Sequence, residues 1–377
     1  MTPAMGSLVA AVGALWIAVI MWDAFEAIVL PRRVTRRLRP ARLFYRVTWR
    51  MWSAVPRRMR PGGRRETFLS FYGPLSLLVL LAAWAASLVI AFAMVQVGIG
   101  TRLSVAGGGA FLDHLYLSGE TFFTLGLGDV TPTSRAGRAV MVIEAGVGFG
   151  FLALVIGYLP VLYQAFSRRE LNITLLDARA GSPPSAEELL RGFGAYQEEL
   201  AVLLAEWERW GADVLESHLS YPVLSYYRSQ HDNQSWLAAL TTVLDASVLV
   251  MVGIEGACSR QAGLTFAMAR HAVVDLAQVL SRPPVGSAPD RLTSSELARL
   301  RTGLAAAGVV VPAGDAEDKL AELRRMYEPY VAALAQHLLM PLPAWRASAE
   351  LHENWRTSAW GRPRGGAPSR SVDRHDD

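Results

Sequence analysis

The sequence is poor in cysteine and in charged residues. Its 377 residues include one cysteine, Cys258, which excludes an intramolecular disulfide framework. Charged residues make up 19% of the chain and hydrophobic residues 52%, with a mean hydropathy of +0.24. This composition is too apolar for a typical soluble protein of this length and indicates a membrane protein. The length also leaves room for a separate domain of about 200 residues.

Several signatures of enzymes and of regulatory domains are missing from the sequence. The seven histidines show no metal-ligand spacing, and no nucleophile–base arrangement stands out. No glycine fingerprint follows a strand, and the Gly-x-Gly-x-Gly at 146–150 lies inside an apolar run, so a Rossmann-type domain is not expected. We therefore expect neither an enzyme nor a cofactor, and we expect His114 to be a surface residue.

Three apolar runs are long enough to cross a bilayer, which takes roughly 20 helical residues. They lie at 1–30, 71–98 and 138–166. The first carries Asp23 and Glu26 near its end. We expect these two acids at the membrane interface, reaching toward Arg32 and Arg33, and contact with a neighbouring helix is the alternative.

Thirteen arginines lie between Arg32 and Arg65, in the connection 31–66 between the first two runs. Such a density of positive charge beside membrane segments marks the cytoplasmic side. The predicted topology in the plasma membrane has the N-terminus and residues 99–138 outside and the C-terminal region in the cytoplasm. We expect the arginines to contact anionic lipid headgroups, in preference to nucleic acid.

A glycine-rich segment interrupts the chain between the second and third apolar runs. Residues 111–123, FLDHLYLSGETFF, are too short to cross the membrane but can enter it as a short helix, and TLGLGD at 124–129 returns as extended backbone. Non-helical backbone at membrane depth is tolerated only where it is buried in protein or lines a water-filled path. Alternating glycines let successive carbonyls point the same way, and a ring of such carbonyls can replace the hydration shell of a cation.

This segment resembles the pore signature of potassium channels, T-x-x-T-[VIL]-G-[YFL]-G-D. The matching residues are Thr121, Thr124, Leu125, Gly126, Leu127, Gly128 and Asp129. The wider frame resembles the simple two-helix potassium channels of bacteria at Glu120, Pro132, Gly137, Arg138 and Gly148. The resemblance covers a pore domain at 67–168, and the run at 1–30 is an extra helix that the simple channels lack.

The resemblance implies a role for each of these residues. The ion sites would be formed by the backbone of Thr124, Leu125, Gly126, Leu127 and Gly128, together with the Thr124 hydroxyl. Asp129 would lie at the outer mouth, and Glu120 and Thr121 would support this filter from behind. Glu120 and Asp129 would share a proton, because like carboxylates in close contact raise one pKa. The only metal expected is the permeant K⁺.

Only one such motif occurs in the chain, so a ring of carbonyls requires a homotetramer. Leu127 stands where many potassium channels have a tyrosine that bonds to a pore-helix tryptophan. The matching positions here are Tyr116 and Leu117, so that bond cannot form. Potassium selectivity is expected; a less selective monovalent cation channel and a membrane-anchored helical sensor or scaffold with a degenerate pore are the alternatives.

The third apolar run carries residues at which a helix can bend. Gly146, Gly148 and Pro160 are candidate gating hinges, and close helix packing is the alternative explanation for the glycines. No repeat of arginine at every third residue lies inside a span, so voltage sensing by such a device is not expected.

The C-terminal region has a helical pattern. After a turn-rich junction at 167–184, we expect an all-α cytoplasmic domain at 185–345 that begins with Ser185 as N-cap, followed by a disordered tail at 355–377. Apolar residues recur at alternating spacings of four and three along its first part, at Leu189, Phe193, Tyr196, Leu200, Leu203, Trp207 and Trp210. The apolar run 236–257 is predicted to be a core helix, with a fourth span as the alternative. Further helices are predicted at 261–281, 294–307 and 315–339.

One enzymatic alternative comes from Gly-x-Gly-Asp at 126–129, which also matches intramembrane aspartyl proteases. Asp129 would need a second aspartate, and Asp23 is the other one within a predicted span. The two are predicted at opposite faces of the bilayer, so they could not activate one water. The fold class expected is therefore an all-α membrane protein with three spans, a re-entrant helix and filter, and a helical domain.

Overall fold

The computed structural model describes residues 2–30, 39–104, 110–193, 196–231, 233–254, 256–286, 289–306 and 309–346. The predicted tail at 355–377 and the arginines from Arg32 to Arg37 lie outside this range. The chain divides into two compact units. The first unit comprises Met1–Met51 and Pro74–Gln164, and the second comprises Trp52–Gly73 and Ala165–Asp377.

The described residues are helical and contain no β-strand, apart from one isolated bridge between Leu103 and Pro132. The α-helices are α1 (Pro3–Ala24), α2 (Pro40–Ala54), α3 (Gly63–Ser70), α4 (Tyr72–Gly98), α5 (Phe111–Phe122), α6 (Arg135–Ala180), α7 (Ala186–Phe193), α8 (Gln197–Ser220), α9 (Trp236–Gly253), α10 (Ala257–Val279), α11 (Ser294–Ala305), α12 (Asp315–Arg325) and α13 (Glu328–Leu338). The predicted all-α class is confirmed.

Four helical segments among the described residues are long and apolar enough to cross a membrane, judged by length and composition alone. They are Pro3–Val29, Gly63–Gly98, Arg135–Ala180 and Trp236–Gly253. The first three contain the apolar runs predicted as spans, and the fourth contains most of the run 236–257.

In the first unit, α1 packs closely against α4 through two glycines. A Cβ atom at Gly98 would lie 2.4 Å from the backbone nitrogen of Ala10, and one at Gly13 would lie 2.7 Å from the carbonyl oxygen of Ala91. Only glycine permits backbones to approach this closely. The extra N-terminal helix α1 therefore packs on α4 at one defined position.

Asp23 and Glu26 are buried within the first unit, while the predicted contacts with Arg32 and Arg33 lie outside the described residues. Asp23 Oδ2 accepts hydrogen bonds from the indole nitrogen of Trp84 on α4 and from the backbone nitrogen of Ala41, each at 3.0 Å. Glu26 Oε1 accepts from Trp22 Nε1 at 2.7 Å, and Oε2 pairs with Arg39 Nε at 3.3 Å. Asp23 thus makes the contact with a neighbouring helix that was the alternative, and its depth in the membrane stays a prediction.

The arginine-rich connection is largely helical in its described part, since it contains α2 and α3. On α2, Leu43, Val47 and Met51 follow each other at intervals of four and are all exposed. Arg46 and Arg50 are exposed beside them. This spacing gives α2 an apolar stripe with positive charge at its edge.

The predicted junction at 167–184 is wrong, because α6 continues without interruption through Pro160 to Ala180. Only Gly181–Pro184 forms a turn. Residues 168–179 contain neither glycine nor proline, and their buried positions recur with a helical period. The buried residues from position 168 to the end of α6 are Arg169, Glu170, Ile173, Leu176 and Ala180.

In the second unit, α9 is a core helix, as predicted. Every residue from Trp236 to Val250 is buried, and α9 contacts α7, α8, α10, α12 and α13. A helix that is apolar on all sides is either a span or surrounded by protein, and here the neighbouring helices cover it. Its one acid, Asp245, pairs with Arg291 and accepts a 2.5 Å hydrogen bond from the Tyr327 hydroxyl.

The other helices of this unit follow the sequence pattern with two exceptions. Ser185 caps α7, since its Oγ accepts from the backbone nitrogen of Glu188 at 3.2 Å. The predicted stripe is buried on α7 and α8 except at Tyr196, which is exposed, and Phe193, which is half-buried. The single helix predicted at 315–339 is wrong. It is divided into α12 and α13 before Pro329, which lacks the N–H that a continuous helix needs.

Candidate functional site

The site is built on α5, a twelve-residue helix whose start is capped by its own first turn. Asp113 Oδ2 accepts from the backbone nitrogen of Ala110 at 3.2 Å. The predicted surface placement of His114 is wrong. The ring is buried, and its nitrogens lie 3.2 and 3.1 Å from the carbonyl oxygens of Ala110 and Thr101. The distant segment that ends α4 supplies this second contact, which local sequence could not show.

The filter segment 124–129 leaves α5 with an alternating backbone. Thr124, Gly126 and Gly128 have φ angles of +56°, +62° and +76°, whereas Leu125 and Leu127 do not have positive φ. Such alternation rotates successive peptide planes so that their carbonyls can face one side of the chain. Glycine adopts positive φ at low cost, but a β-branched threonine does not, so the strain at Thr124 marks a conformation that its surroundings impose.

Two backbone hydrogen bonds hold the start of the filter against the end of α5. The nitrogen of Leu125 donates to the carbonyl of Glu120 at 2.8 Å, and that of Thr124 donates to the carbonyl of Thr121 at 3.1 Å. The side chains of Leu125 and Leu127 are 64% and 65% exposed in the single chain. The filter is therefore fixed at its base and uncovered along its length.

Asp129, at the outer end of the filter, is bonded to α5. The Tyr116 hydroxyl donates to its carboxylate, 3.0 Å from Oδ2 and 3.2 Å from Oδ1, and the Val130 nitrogen donates to Oδ1 at 3.1 Å. Leu127 cannot form the side-chain bond to α5 that a tyrosine would make at its position. Here the Tyr116 hydroxyl on α5 bonds to Asp129 instead. This role of Tyr116 was not predicted from the sequence. The hydroxyl at the position that matches the pore-helix tryptophan could have indicated it.

Glu120 and Thr121 both lie buried behind the filter. Neither carboxylate oxygen of Glu120, nor the Thr121 hydroxyl, has a hydrogen-bond partner within the described part of the chain. The structure therefore shows Glu120 buried next to the segment 124–129, while its support of a filter and the proton shared with Asp129 stay predictions.

The motif residues that follow the filter form one connected turn. Arg138 Nε donates to the carbonyl of Pro132 at 3.1 Å. A Cβ atom at Gly137 would lie 2.6 Å from Thr101 Cγ2, and the Gly137 carbonyl accepts from Gln96 Nε2 at 3.1 Å. The turn therefore ties the start of α6 to the end of α4, which explains why glycine and arginine occur at these positions.

The three candidate hinges differ in their surroundings on α6. A Cβ atom at Gly148 would lie only 2.0 Å from the carbonyl oxygen of Phe122, the last residue of α5. At Gly146 nothing lies within 4 Å, and Pro160 lies inside the continuous helix. Close packing thus accounts for Gly148, and hinge motion at any of the three positions stays a prediction.

Comparison with known proteins identifies the segment that carries this site. Residues 76–164 match the model of the family described as ion channel. The chain is also 22% identical over 196 residues to the uncharacterized membrane protein YdjJ of Bacillus subtilis (strain 168), which covers 51% of this chain and 57% of the relative. The chain thus spans little more than half the length of that relative. No solved structure matches significantly.

Residues 76–164 include most of α4, all of α5, the filter segment and the first part of α6. This segment is therefore an ion-channel domain, and the protein is a membrane protein that contains it. The ion-channel part of the predicted resemblance is confirmed.

Proposed function

We propose that four copies of this chain form a potassium-selective channel in the plasma membrane. The observation that carries the proposal is the alternation of positive φ at Thr124, Gly126 and Gly128 in a segment that begins at the end of a short buried helix. Four such segments around one axis would present rings of backbone carbonyls to a dehydrated K⁺ ion.

Surfaces that are exposed in the single chain support the proposal of a tetramer. A cation path needs a closed ring, whereas the filter of one chain is exposed on its own. Large apolar side chains are also exposed along α6, at Val142, Ile143, Phe149, Leu152 and Ile156. Lipid covers some of these in the membrane, and neighbouring copies would cover those that face the axis and the adjacent α5.

Within this channel Glu120, Thr121 and Asp129 would support the filter. Glu120 lies buried behind it with no partner for its carboxylate oxygens in the described part of the chain. A proton shared with Asp129 in the tetramer would satisfy both acids. If Glu120→Ala, which removes the carboxyl group, leaves filter inactivation unchanged, this shared proton has no role.

The decisive experiment is flux through the purified full chain in liposomes. Potassium flux that barium blocks, with little sodium flux, is the expected result. Comparable flux of both ions would favour the less selective cation channel. The alternative arises because Leu127 replaces the tyrosine that many potassium channels have at this position. Absence of flux from an intact tetramer would favour the scaffold with a degenerate pore.

A matched pair of variants connects the flux to the filter. Gly126→Ala places a side chain at φ +62° and should abolish potassium flux. Gly192→Ala, at an exposed helical position of the second unit with no atom within 4 Å in the chain, serves as the control and should conduct. Equal flux from both would contradict a filter at 124–129.

We also propose three spans, with the N-terminus outside and the second unit in the cytoplasm, because α9 is enclosed by protein. The stripe of Leu43, Val47 and Met51 beside Arg46 is typical of a helix that lies at an anionic membrane surface. A C-terminal fusion to green fluorescent protein should fluoresce, and one to alkaline phosphatase should be inactive. The opposite pair of results would contradict a cytoplasmic second unit.

A further inference from the structure

Glu144 lies on α6 at the level of α5 and is completely buried, with 0% of the side chain exposed. Its Oε1 is hydrogen-bonded to the hydroxyl of Ser118 on α5. The same Ser118 Oγ lies 2.7 Å from the carbonyl oxygen of Val89 on α4. A chain of polar groups therefore joins α4, α5 and α6 behind the filter.

If Glu144 were ionised, the one hydroxyl hydrogen of Ser118 would have to serve two acceptors, Glu144 and Val89. Ser118 has one hydroxyl hydrogen, and the carbonyl of Val89 can only accept. When Ser118 donates to Val89, the bond between Ser118 and Glu144 needs a hydrogen on the carboxyl group. In the described part of the chain, Glu144 has no cationic partner and its Oε2 has no hydrogen-bond partner. An unpaired carboxylate in such surroundings would be strongly unfavourable.

The bond lies in the middle of a continuous contact between α5 and α6. Met141 packs on the apolar cluster that contains Leu117, one turn before Glu144. One turn after Glu144, the backbone at Gly148 touches the carbonyl of Phe122, whose ring lies 5.8 Å from that of Phe151. Glu144 and Ser118 form the one polar link that the described contacts show along this interface.

We propose that Glu144 is a positioning residue that, as an uncharged carboxylic acid, holds α5 against α6 and thereby keeps the filter in register. It acts through Ser118 and touches no ion. The inference rests on the proposed channel function, because α5 carries the filter on its C-terminal end. A motion of α6 would move α5 through this bond as well as through the backbone contact at Gly148.

The test uses two replacements of the acid and one of its partner in the full-length tetramer in liposomes. Glu144→Gln keeps an uncharged side chain that can donate to Ser118, and Glu144→Leu removes the polar group. Ser118→Ala removes the partner, and Ser167→Ala, at an exposed position of α6, is the matched control. The readout is the ratio of potassium to sodium flux.

We expect Glu144→Gln and Ser167→Ala to keep the flux ratio within about twofold of the native value, because they keep the neutral bond. Glu144→Leu and Ser118→Ala should lower the ratio by about tenfold, the effect of one lost buried hydrogen bond. The double variant Glu144→Leu/Ser118→Ala should be no worse than Glu144→Leu alone, since both remove the same bond.

A native flux ratio in Glu144→Leu, or a loss in Glu144→Gln equal to that in Glu144→Leu, would overturn the proposal. If Glu144→Leu does not assemble, Ser118→Ala and Glu144→Gln decide between these outcomes. If the native protein conducts no ions, the proposed function fails but the bond is still tested. Thermal unfolding of the native protein, Glu144→Leu, Ser118→Ala and the double variant must then show the same non-additivity. Additive losses of stability would overturn the inference.

Discussion

The Tyr116 hydroxyl lies 3.0 Å from Asp129 Oδ2, so α5 is hydrogen-bonded to the last residue of the proposed filter segment 124–129. We expect Tyr116→Phe to weaken this anchor without disturbing the helix. A hydrogen bond to a carboxylate at a partly exposed position contributes about 1 kcal/mol, which corresponds to a roughly fivefold change in the equilibrium between intact and collapsed filters. The measurement is potassium flux over time, which should decline faster in the variant.

The control for this substitution is Tyr196→Phe, which removes an exposed hydroxyl from the second unit. Its flux should follow that of the native protein. Unchanged flux in Tyr116→Phe would show that the bond to Asp129 does not hold the filter open.

Gly148 and Gly146 differ in how closely other atoms approach them, which tests the packing role of Gly148. Gly148→Ala introduces a Cβ atom 2.0 Å from the Phe122 carbonyl and should destabilise the protein by about 1–3 kcal/mol, as overpacking does. Gly146→Ala meets no atom within 4 Å in the chain and should gain up to about 1 kcal/mol from helix propensity. Thermal unfolding in detergent measures both. Equal stabilisation by the two variants would contradict the packing role of Gly148.

Arg169 and Arg168 are adjacent arginines with opposite surroundings in the second unit. Arg169 is 1% exposed, pairs with Glu170 at 2.8 Å, and donates to the carbonyls of Leu224 and Tyr227 at 2.9 and 3.0 Å. Arg169→Met should therefore lower the free energy of unfolding by about 3–5 kcal/mol, because it leaves a buried acid and two carbonyls without their donor.

The matched control is Arg168→Met. The Arg168 side chain is 59% exposed, and it pairs with Asp213 at 3.8 Å. Such an exposed pair contributes about 0–1 kcal/mol, so the two substitutions should differ several-fold in chemical denaturation. A similar loss from both would mean that the buried network does not stabilise the second unit.

His337 should make the second unit less stable at acidic pH. Burial, followed by the positive charges of Arg282 and Arg57, lowers the pKa of His337 to about 3 from an ordinary value of 6.5. The unfolded chain therefore binds the proton first, and the stability present above pH 6.5 is lost as the pH falls toward 3. The expected loss is about 1.4 kcal/mol per pH unit, or roughly 2 kcal/mol at pH 5.

The variant His337→Gln isolates this one proton. Burial also lowers the pKa of His218, and that contribution stays the same in both proteins. The slope of unfolding free energy against pH between about 4 and 6 should thus be smaller in the variant by one proton. Parallel curves would contradict the assignment.

Local patterns predicted much of this protein because they depend on neighbouring residues. The apolar runs predicted the helices that are long enough to cross a membrane, and the segment 76–164 matches the ion-channel family as the motif indicated. Ser185 was predicted as a helix N-cap from its spacing to Glu188, and the hydrogen bond between them is present.

The wrong predictions concern residues whose partners are distant in sequence or whose helices depend on tertiary contacts. His114 reaches the carbonyl of Thr101 and is buried where a surface position was predicted. The local sequence around Asp23 likewise could not show which helix its carboxylate meets, and the structure places it against Trp84. The junction after residue 166 was predicted as turns, but the buried face that includes Arg169 and Leu176 extends the helix.

The sequence by itself determined the all-α class, the long apolar helices and the backbone freedom of the filter, since chain composition and glycine spacing suffice for these. Only the tertiary structure decided that α9 is enclosed by protein, that Tyr116 holds Asp129, and that Glu144 faces Ser118. The physical reason is that hydropathy measures only how favourable it is to transfer a segment out of water. Whether lipid, another helix or a polar partner covers that segment depends on residues far away along the chain.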